Sequence, residues 1–509
     1  MAQEQQPGRL AGYDFLLEYY QIADQPHWHH SLVAGSRVVQ IEGSVVRESF
    51  PASFWPGESP WDHLEFALKY DGIHLGILDK IFQVAPREAL IAFIQAKPTG
   101  VFGRSVWFLY EFLRQETLPI PDAPKCNYVP ILDPEKYYAL ETGTRLLRYR
   151  IVDNLLGPRE FCPIVRRTTK LLAMEQANYP KQCDEIFKGY SPDLLKRALG
   201  YLFQKETKSS FEIEKETPDS NRTERFVSQL HLAEHDDFCT KTRLIELQNR
   251  IVDSRFADRD YRHSQNYVGQ SIQFQNELIH FVCPKPEDIH ALMAGLVVSN
   301  LRMGMGGVHP VVHAGVLAYG FVFLHPFEDG NGRIHRFLIH NVLARRGYTP
   351  KEMVFPVSAT MLKHSRDYDA SLEEYSNSIL PHIQYSLDAE GKMTVHNDTV
   401  DLYCFMDLTT QVEALSSFIE MTIHEELTSE LEFLRHYDRT RLLLRDIVDL
   451  PDRKMDLFMN LCVQFKGRIS AAKRLSQFQM LTDAEIEAME KAVQLGFEMD
   501  GAESPDDLE

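Results

Sequence analysis

The segment HPFEDGNGRIHR, residues 325 to 336, brings together residue types that act on phosphate groups. His325 titrates near neutral pH, so its imidazole can take a proton from an attacking hydroxyl. Arg333 and Arg336 are three residues apart, which places both guanidinium groups on one side of a helical turn, where they can bind phosphate oxygens. Asp329 offers a hard carboxylate oxygen, a ligand suited to Mg²⁺ that is also bound by substrate phosphates. Together these residues indicate phosphoryl-group chemistry.

Three consecutive elements must position these side chains. The stretch HPVVHAGVLAYGFVFL, which ends at Leu324, is apolar nearly all round and predicts a buried helix. Gly330, Asn331 and Gly332 then favour a tight loop, because glycine and asparagine readily adopt positive φ. A second helix follows, with apolar residues on its inner face (Ile334, Phe337, Leu338 and Val342). A glycine-rich loop that opens a helix directs backbone N–H groups and the helix dipole towards one point, which predicts an anion site.

The segment HPFEDGNGRIHR resembles the signature of Fic-domain proteins, H-P-F-x-[D/N]-G-N-G-R-x-x-R, at every specified position. The segments CPKPEDIHALM and SATMLKHSRDYDASL also look Fic-like, so the similarity covers about residues 190–380. The resemblance implies an all-α core that binds ATP and Mg²⁺ and transfers AMP to a Ser, Thr or Tyr hydroxyl of a target protein.

The resemblance also implies roles for single residues. It makes His325 the general base, Asp329 the metal ligand, and Gly330, Asn331 and Gly332 the anion hole. Arg333 would bind the transferred part of the nucleotide, and Arg336 would bind the terminal phosphate. The related Doc-type kinases carry Lys at the position of Gly332 and bind the nucleotide in the opposite sense. The glycine therefore favours nucleotidyl over phosphoryl transfer.

A hairpin is predicted before the first motif helix. The segments RHSQNYVG and ELIHFVCP contain alternating or β-favouring residues, which indicates two strands over about residues 265–282. This place in the chain matches the Fic flap, whose strand edge, here Tyr267, Val268 and Gly269, could pair with the backbone of a target protein. An ordinary surface hairpin is the alternative.

Many Fic proteins carry an inhibitory helix, [S/T]-x-x-x-E-[G/N], whose Glu pairs with the second motif arginine, here Arg336. A carboxylate and a γ-phosphate cannot both hold one guanidinium, so ATP would bind unproductively. Two segments fit in part. SFEIEK has Ser210 and Glu214 but ends in Lys, and it predicts an inhibitory helix over about 205–216. VVQIEG has Glu42 and the glycine but begins with Val. Glu214 is favoured because it lies in the same predicted domain as the motif.

The length of 509 residues predicts two or three domains. All four tryptophans lie in the first 107 residues, and a proline-dense stretch, LPIPDAPKCNYVPILDP, follows them. A helical pattern begins near residue 191, with Ser191 as the expected N-cap. We therefore expect a mainly α fold: an N-terminal mixed region (1–190) of unassigned role, a Fic domain (191–390), and a C-terminal helical region (391–509) with a disordered acidic tail.

The bulk composition excludes several classes of protein. A net charge of −19 argues against a general nucleic-acid binder. The polar N-terminus does not resemble a secretory signal, and no window approaches the roughly 18 apolar residues that span a membrane. The scattered cysteines favour a reducing, cytoplasmic setting and predict neither disulfides nor a zinc site. The cluster HWHH at 27–30 is isolated, so no metal site is predicted there either.

The sequence thus predicts a protein adenylyltransferase that uses ATP and Mg²⁺, modifies a target hydroxyl and is autoinhibited by a glutamate. Two alternatives stay open. One is hydrolytic removal of AMP at the same site, with Glu214 positioning the water. The other is a DNA-binding regulator that retains a Fic core, for which the basic stretch in RISAAKRLSQFQMLTDAEIEAM would make local contacts. Self-modification and homo-oligomer formation also stay open.

Overall fold

The computed structural model describes residues 8–23, 25–273 and 276–499. The chain is mainly α-helical, as the sequence predicts, and the strands of the described residues form four small sheets. Among these residues, we find no helix with the length and apolar character needed to cross a membrane.

The N-terminal part combines a four-stranded sheet with a group of helices. The strand order is β1-β2-β4-β3, with β2 and β4 parallel and the two outer pairs antiparallel. The strands are β1 Arg9–Ala11, β2 His29–Ala34, β3 Val38–Glu42 and β4 Val45–Pro51. The helices are α1 Gly12–Tyr19, α2 Pro60–Phe66, α3 Leu75–Val84, α4 Arg87–Ala96 and α5 Val101–Arg114.

A connecting region begins within the proline-dense stretch. It contains a three-stranded sheet of order β5-β7-β6 and two short helices. Their bounds are β5 Val129–Pro130, β6 Thr144–Leu146, β7 Ile151–Asp153, α6 Thr169–Ala177 and α7 Tyr179–Phe187.

The motif lies in a helical layer around one buried helix, Pro310–Leu324 (α12), which contacts the helices on both sides of it in sequence. This helix ends at Leu324, as predicted, and the next helix begins at Asn331. The other elements are α8 Pro192–Ile213, α9 Ser220–Leu232, α10 Lys241–Ile251, β8 Tyr267–Gln273, β9 Asn276–Val282, α11 Pro286–Met305, α13 Asn331–Arg345, α14 Val357–Lys363 and α15 Ser365–Ile379.

The first of the remaining elements extend the helical layer around the motif, and the last ones lie outside it. One helix, Thr409–Met421 (α17), packs against α12, so it completes the core around the motif. The others are β10 Tyr385–Leu387, β11 Met393–Val395, α16 Val400–Cys404, α18 Thr428–Arg445, α19 Asp452–Gln464, α20 Ala471–Gln477 and α21 Asp483–Gly496.

The hydrophobic cores do not follow the predicted domain boundaries. The main cluster runs from Tyr138 to Leu434, so the boundaries expected at 190 and 390 both fall inside it. A second cluster runs from Tyr13 to Ile164, and a third from Leu444 to Val493. Apolar spacing marks the buried face of a helix but not the partner on which that face packs, which is why the sequence did not reveal the shared core.

Backbone hydrogen bonds tie the N-terminal part to the residues that follow the motif helices. The amide of Cys162 donates to the carbonyl of Cys404 (2.7 Å), and the amide of Ile164 donates to the carbonyl of Met406 (2.9 Å). These bonds set the N-terminal part directly against the helical layer.

Candidate active site

His325 ends helix α12 and turns the chain into the motif loop. Its backbone is left-handed, with φ 48° and ψ 57°, and its Nδ1 lies 3.3 Å from the carbonyl oxygen of Val322. A hydrogen bond there requires the proton on Nδ1, so Nε2 is the nitrogen able to accept one. Desolvation, assisted by the positive charge of Arg262, lowers the pKa of His325 to about 4. The imidazole is therefore neutral near pH 7 and can act as a base.

Arg262 holds the backbone of His325 and was not found from the sequence. The residue is 3% exposed. Its Nε donates to the carbonyl of His325 (2.8 Å), while its Nη1 and Nη2 donate to the carbonyls of Ser264 and Pro284 (both 2.6 Å). These two carbonyls flank the hairpin, so one guanidinium joins the base of the hairpin to the motif. The arginine just before the hairpin in RHSQNYVG was the available signal, but no motif marks it.

The predicted hairpin is present as an antiparallel pair of strands, β8 and β9, with a register shift between Val268 and Gly269. A side chain at Gly269 would begin 2.8 Å from the carbonyl of Leu278, so the close approach of the strands favours glycine there. Val268 is 43% exposed, and the hydroxyl of Tyr267 donates to the carbonyl of Gly391 (3.2 Å). Pairing of this strand with a target stays a prediction.

The motif loop is closed by the side chain of Asn331. Its Oδ1 accepts from the amide of Phe327 (3.1 Å), and its Nδ2 donates to the carbonyl of the same residue (2.7 Å). Gly330 has a φ of 92°, a conformation that glycine adopts without strain. Helix α13 begins at Asn331, so the unpaired backbone N–H groups of its first turn lie at this loop.

Arg333 points into the loop and bridges two carboxylates. Its Nη2 donates to Oδ1 of Asp329 (2.8 Å), and its Nη1 donates to Oε2 of Glu216 (3.1 Å). The Arg333 side chain is 1% exposed, whereas that of Asp329 is 39% exposed. Asp329 Oδ1 also accepts from the amide of Gly330 (2.6 Å). Glu216 was missed because it belongs to no motif.

Arg336 is held from several sides by the end of helix α8 and by Tyr368. Its Nη2 donates to Oε1 of Glu214 (2.8 Å) and to the carbonyl of Ser210 (2.6 Å), and its Nε donates to the Ser210 hydroxyl (3.0 Å). Its Nη1 donates to the Tyr368 hydroxyl (3.4 Å). Burial alone would raise the pKa of Glu214, but the charge of Arg336, the hydrogen bond from Arg336 and the charge of Arg333 together outweigh it and lower the pKa. Glu214 is therefore an ionised partner of Arg336.

The Glu214 carboxylate also lies directly over the anion loop. A side chain at Gly332 would begin 2.1 Å from Glu214 Oε1. The absence of a side chain at Gly332 thus lets the carboxylate reach the N-terminal end of helix α13. Negative charge is favoured at that end by the helix dipole and the free N–H groups.

The segment predicted as an inhibitory helix, about 205–216, is the end of a longer helix, Pro192–Ile213. Glu206, fully buried, fixes this helix to the motif core: its carboxylate bonds to Nε2 of His340 (2.7 Å) and to the amide of Ser358 (2.9 Å). After the helix, Lys215 has a φ of 58°. This is the position where Gly or Asn is usual, and both residues tolerate such a conformation.

The other segment with the partial inhibitory pattern is not a helix. Residues Val38–Glu42 form strand β3, which pairs with β4, so the less favoured candidate, Glu42, does not lie on a helix. The β-branched residues in VVQIEGSVV favour a strand, and Gly43, with a φ of 62°, makes the turn. The carboxylate of Glu42 is 67% exposed and pairs with Arg47 (3.6 Å).

The sequence comparisons identify one domain. The Fic/DOC family model matches residues 238–343. A curated relative named protein adenylyltransferase Fic, from Culex quinquefasciatus, is 29% identical over 177 residues, which are 34% of this chain and 30% of that protein. A second, from Aedes aegypti, bears the same name and is 28% identical over 174 residues, with the same shares. The match therefore spans less than a third of the length of these curated relatives.

Among solved structures, a Fic family protein from Desulfovibrio desulfuricans G20 covers 66% of this chain and 86% of its own, with a TM-score of 0.36 and 16% identity. The family match at 238–343 contains the whole segment from His325 to Arg336, and the chain around it is helical. Residues 238–343 therefore form a Fic domain of the Fic/DOC family.

Proposed function

We propose that this protein transfers AMP from ATP to a hydroxyl group of a target protein, with His325 as the general base. The main support is that a neutral imidazole and two buried arginines meet at one loop at the start of a helix. The loop suits phosphate oxygens, and the imidazole suits the proton of an acceptor hydroxyl. The curated relatives are named for the same class of reaction.

The chemistry follows from these groups. The target hydroxyl oxygen attacks the α-phosphorus of ATP, and Nε2 of His325 takes its proton. The bond between the α-phosphorus and the bridging oxygen of pyrophosphate breaks, so the nucleotide is left as a phosphodiester on the target. Arg333 and the backbone N–H groups at the start of α13 stabilise the negative charge on the phosphates. The protein thus acts by positioning groups and by electrostatics.

Asp329 is the residue that would bind Mg²⁺. Its half-exposed carboxylate is a hard oxygen donor at the mouth of the anion loop, and one carboxylate fits an ion that takes its other ligands from phosphates and water. Bound there, Mg²⁺ would neutralise part of the phosphate charge. Arg333, which shares Oδ1 of Asp329, keeps this carboxylate turned towards the loop.

Glu214 acts as a brake on this reaction. Its carboxylate takes the Nη2 group of Arg336 and covers Gly332, which is the space that the terminal phosphate needs. A nucleotide that enters while Glu214 stays in place cannot bind Arg336 with its γ-phosphate, so its α-phosphorus is not aligned with the acceptor. The fixed position of helix α8, through Glu206, supports a stable inhibited state.

The test is intact-mass analysis of the full chain carrying Glu214→Gly, incubated with Mg²⁺ and each of the four nucleoside triphosphates. We expect ATP to add one nucleoside monophosphate to the protein itself, because removal of the carboxylate frees Arg336. The matched control is the double variant Glu214→Gly/His325→Ala, which should gain no mass. Gain of a single phosphate would overturn nucleotidyl transfer. A larger gain from another triphosphate than from ATP would overturn the choice of donor.

A further inference from the structure

A second cluster of ligand-type side chains lies in the N-terminal part, away from the Fic motif. Asp14 near the start of α1, His27 in the following loop and His30 in β2 place one atom each within 4.8 Å of the others. His27 Nε2 is 3.2 Å and His30 Nδ1 is 2.9 Å from the same carboxylate oxygen, Asp14 Oδ1. The isolated HWHH cluster of the sequence is thus completed by an aspartate from another element.

We propose that Asp14, His27 and His30 form a binding site for one divalent transition-metal ion, best fitted by Zn²⁺. Two imidazole nitrogens and one carboxylate oxygen are a set that zinc commonly takes. Two ligands that each lie 2.0–2.1 Å from a tetrahedral ion are about 3.3 Å apart. The distances from Asp14 Oδ1 to the two nitrogens are close to that value, so small side-chain shifts would admit the ion.

The outer contacts of the cluster orient its atoms inward. Nδ1 of His27 lies 3.0 Å from the carbonyl of Gln25, which places the proton on Nδ1 and leaves Nε2 as a ligand. The second oxygen of Asp14 accepts from the amide of Ser31 (3.1 Å), which leaves Oδ1 directed at the histidines. Partners of this kind, a backbone carbonyl behind a histidine and a donor behind a carboxylate, fix metal ligands in many sites.

The cluster is sheltered but open on one side. The side chain of His27 is 1% exposed, that of Asp14 16% and that of His30 26%. Both histidines line a cavity of about 680 Å³, whose lining also includes Arg166, Tyr375 and Asp407. Three protein ligands leave one position of a tetrahedral shell for water or a small anion, and the cavity provides the room.

A third histidine at this cavity supports the assignment. His74 is buried, its ring centroid is 5.8 Å from that of His27, and among the described residues its Nε2 has no hydrogen-bond partner. Burying an imidazole nitrogen without a partner is unfavourable. A water or anion on the open position of the ion would offer such a partner. The ion would also hold the loop between α1 and β2 in place, because its ligands come from both elements.

The test uses the full chain, stripped with a chelator, and Zn²⁺ alone as the probe. We expect one tightly bound Zn²⁺ per chain, measured by elemental analysis and by competition with a chromogenic chelator. Asp14→Asn and His30→Asn should each weaken that affinity by at least about tenfold, since even outer-shell changes cost that much. His290→Asn, at a half-exposed histidine outside the cluster, is the matched control and should retain the ion.

The visible absorption of bound Co²⁺ provides a second measurement, which reports on the metal site and does not depend on the stability of the fold. The stripped protein should develop the visible bands of a tetrahedral Co²⁺ site, and His30→Asn, at the most exposed ligand, should lose them while its circular dichroism stays that of the parent. Full Zn²⁺ affinity in both ligand variants would overturn the proposal. So would the absence of stoichiometric Zn²⁺ in the parent chain, which would leave Asp14 as a hydrogen-bond acceptor for two histidines only.

Discussion

The two clusters of chemically active side chains in this protein are built in different ways. The Fic motif supplies its groups from one segment, His325 to Arg336, in which a loop and a single helix turn set their relative positions. The N-terminal cluster takes Asp14 from a helix, His27 from a loop and His30 from a strand. A contiguous site can be recognised from spacing alone, whereas an assembled site becomes visible only when the sheet and helix are in place. The proposed brake is intermediate, since Glu214, at the end of another helix, contacts the contiguous site.

The largest expected effect on this contrast comes from removing the proposed general base, His325. In the Glu214→Gly background, His325→Ala should lower the rate of transfer by about 10²–10⁴-fold, the usual contribution of a general base. Nucleotide affinity should change little, because the imidazole acts on the acceptor. Zn²⁺ content should also stay at the parent level, because the N-terminal cluster is separate. The measurements are labelled AMP incorporation, nucleotide binding by calorimetry and elemental analysis. An undiminished rate would remove His325 from the chemistry.

A smaller effect tests whether the observed contact with Arg336, and not the sequence pattern alone, identifies the inhibitory glutamate. Glu214→Gly should raise self-modification at least tenfold, which corresponds to about 1.4 kcal/mol, close to the contribution of one hydrogen bond between charged groups. Glu42→Gly should leave the rate near the parent value, because that carboxylate lies on strand β3 and pairs with Arg47.

The same assay gives two further checks on the brake. Adding Arg336→Ala to Glu214→Gly should cancel the gain, since the released guanidinium is then missing. Activation by Glu42→Gly, with Glu214→Gly inert, would show that the contact between Glu214 and Arg336 does not limit the reaction.

These contrasts also explain what could be predicted from the sequence. The end of α12 at Leu324, the hairpin and the Ser191 cap all depend on neighbouring residues, and the structure confirms them. Local rules of apolar spacing, turn residues and capping are sufficient for such features.

Contacts between distant residues could not be predicted in this way. No sequence motif marks the contacts of Arg262 with His325, of Glu216 with Arg333, or of Asp14 with two histidines. The strand at Glu42 shows why the lesser candidate also matched in part: a short pattern with one glutamate and one glycine fits a hairpin turn as well as a helix end. Only the β-branched residues beside it distinguish the two.

The smallest expected effect concerns Lys215, the residue after Glu214. Its φ of 58° costs a lysine roughly 1–2 kcal/mol. Glycine adopts this conformation without strain, but its greater freedom in the unfolded chain offsets about 0.4–1 kcal/mol of that gain. Lys215→Gly should therefore raise the free energy of unfolding by about 0.5–1 kcal/mol. If this stabilisation applies to the state in which Glu214 pairs with Arg336, the rate of self-modification should fall by about two- to fivefold.

Lys466 provides the matched control for this prediction. It has a φ of 53° and is an exposed residue in the turn between α19 and α20. Lys466→Gly should stabilise the chain by a similar amount, measured by chemical denaturation, and leave the rate of AMP incorporation unchanged. Equal loss of activity in both variants would mean that general rigidity lowers the rate. A faster rate in Lys215→Gly would mean that the lysine conformation helps to hold Glu214 in place, so the departure from Gly or Asn would strengthen the brake.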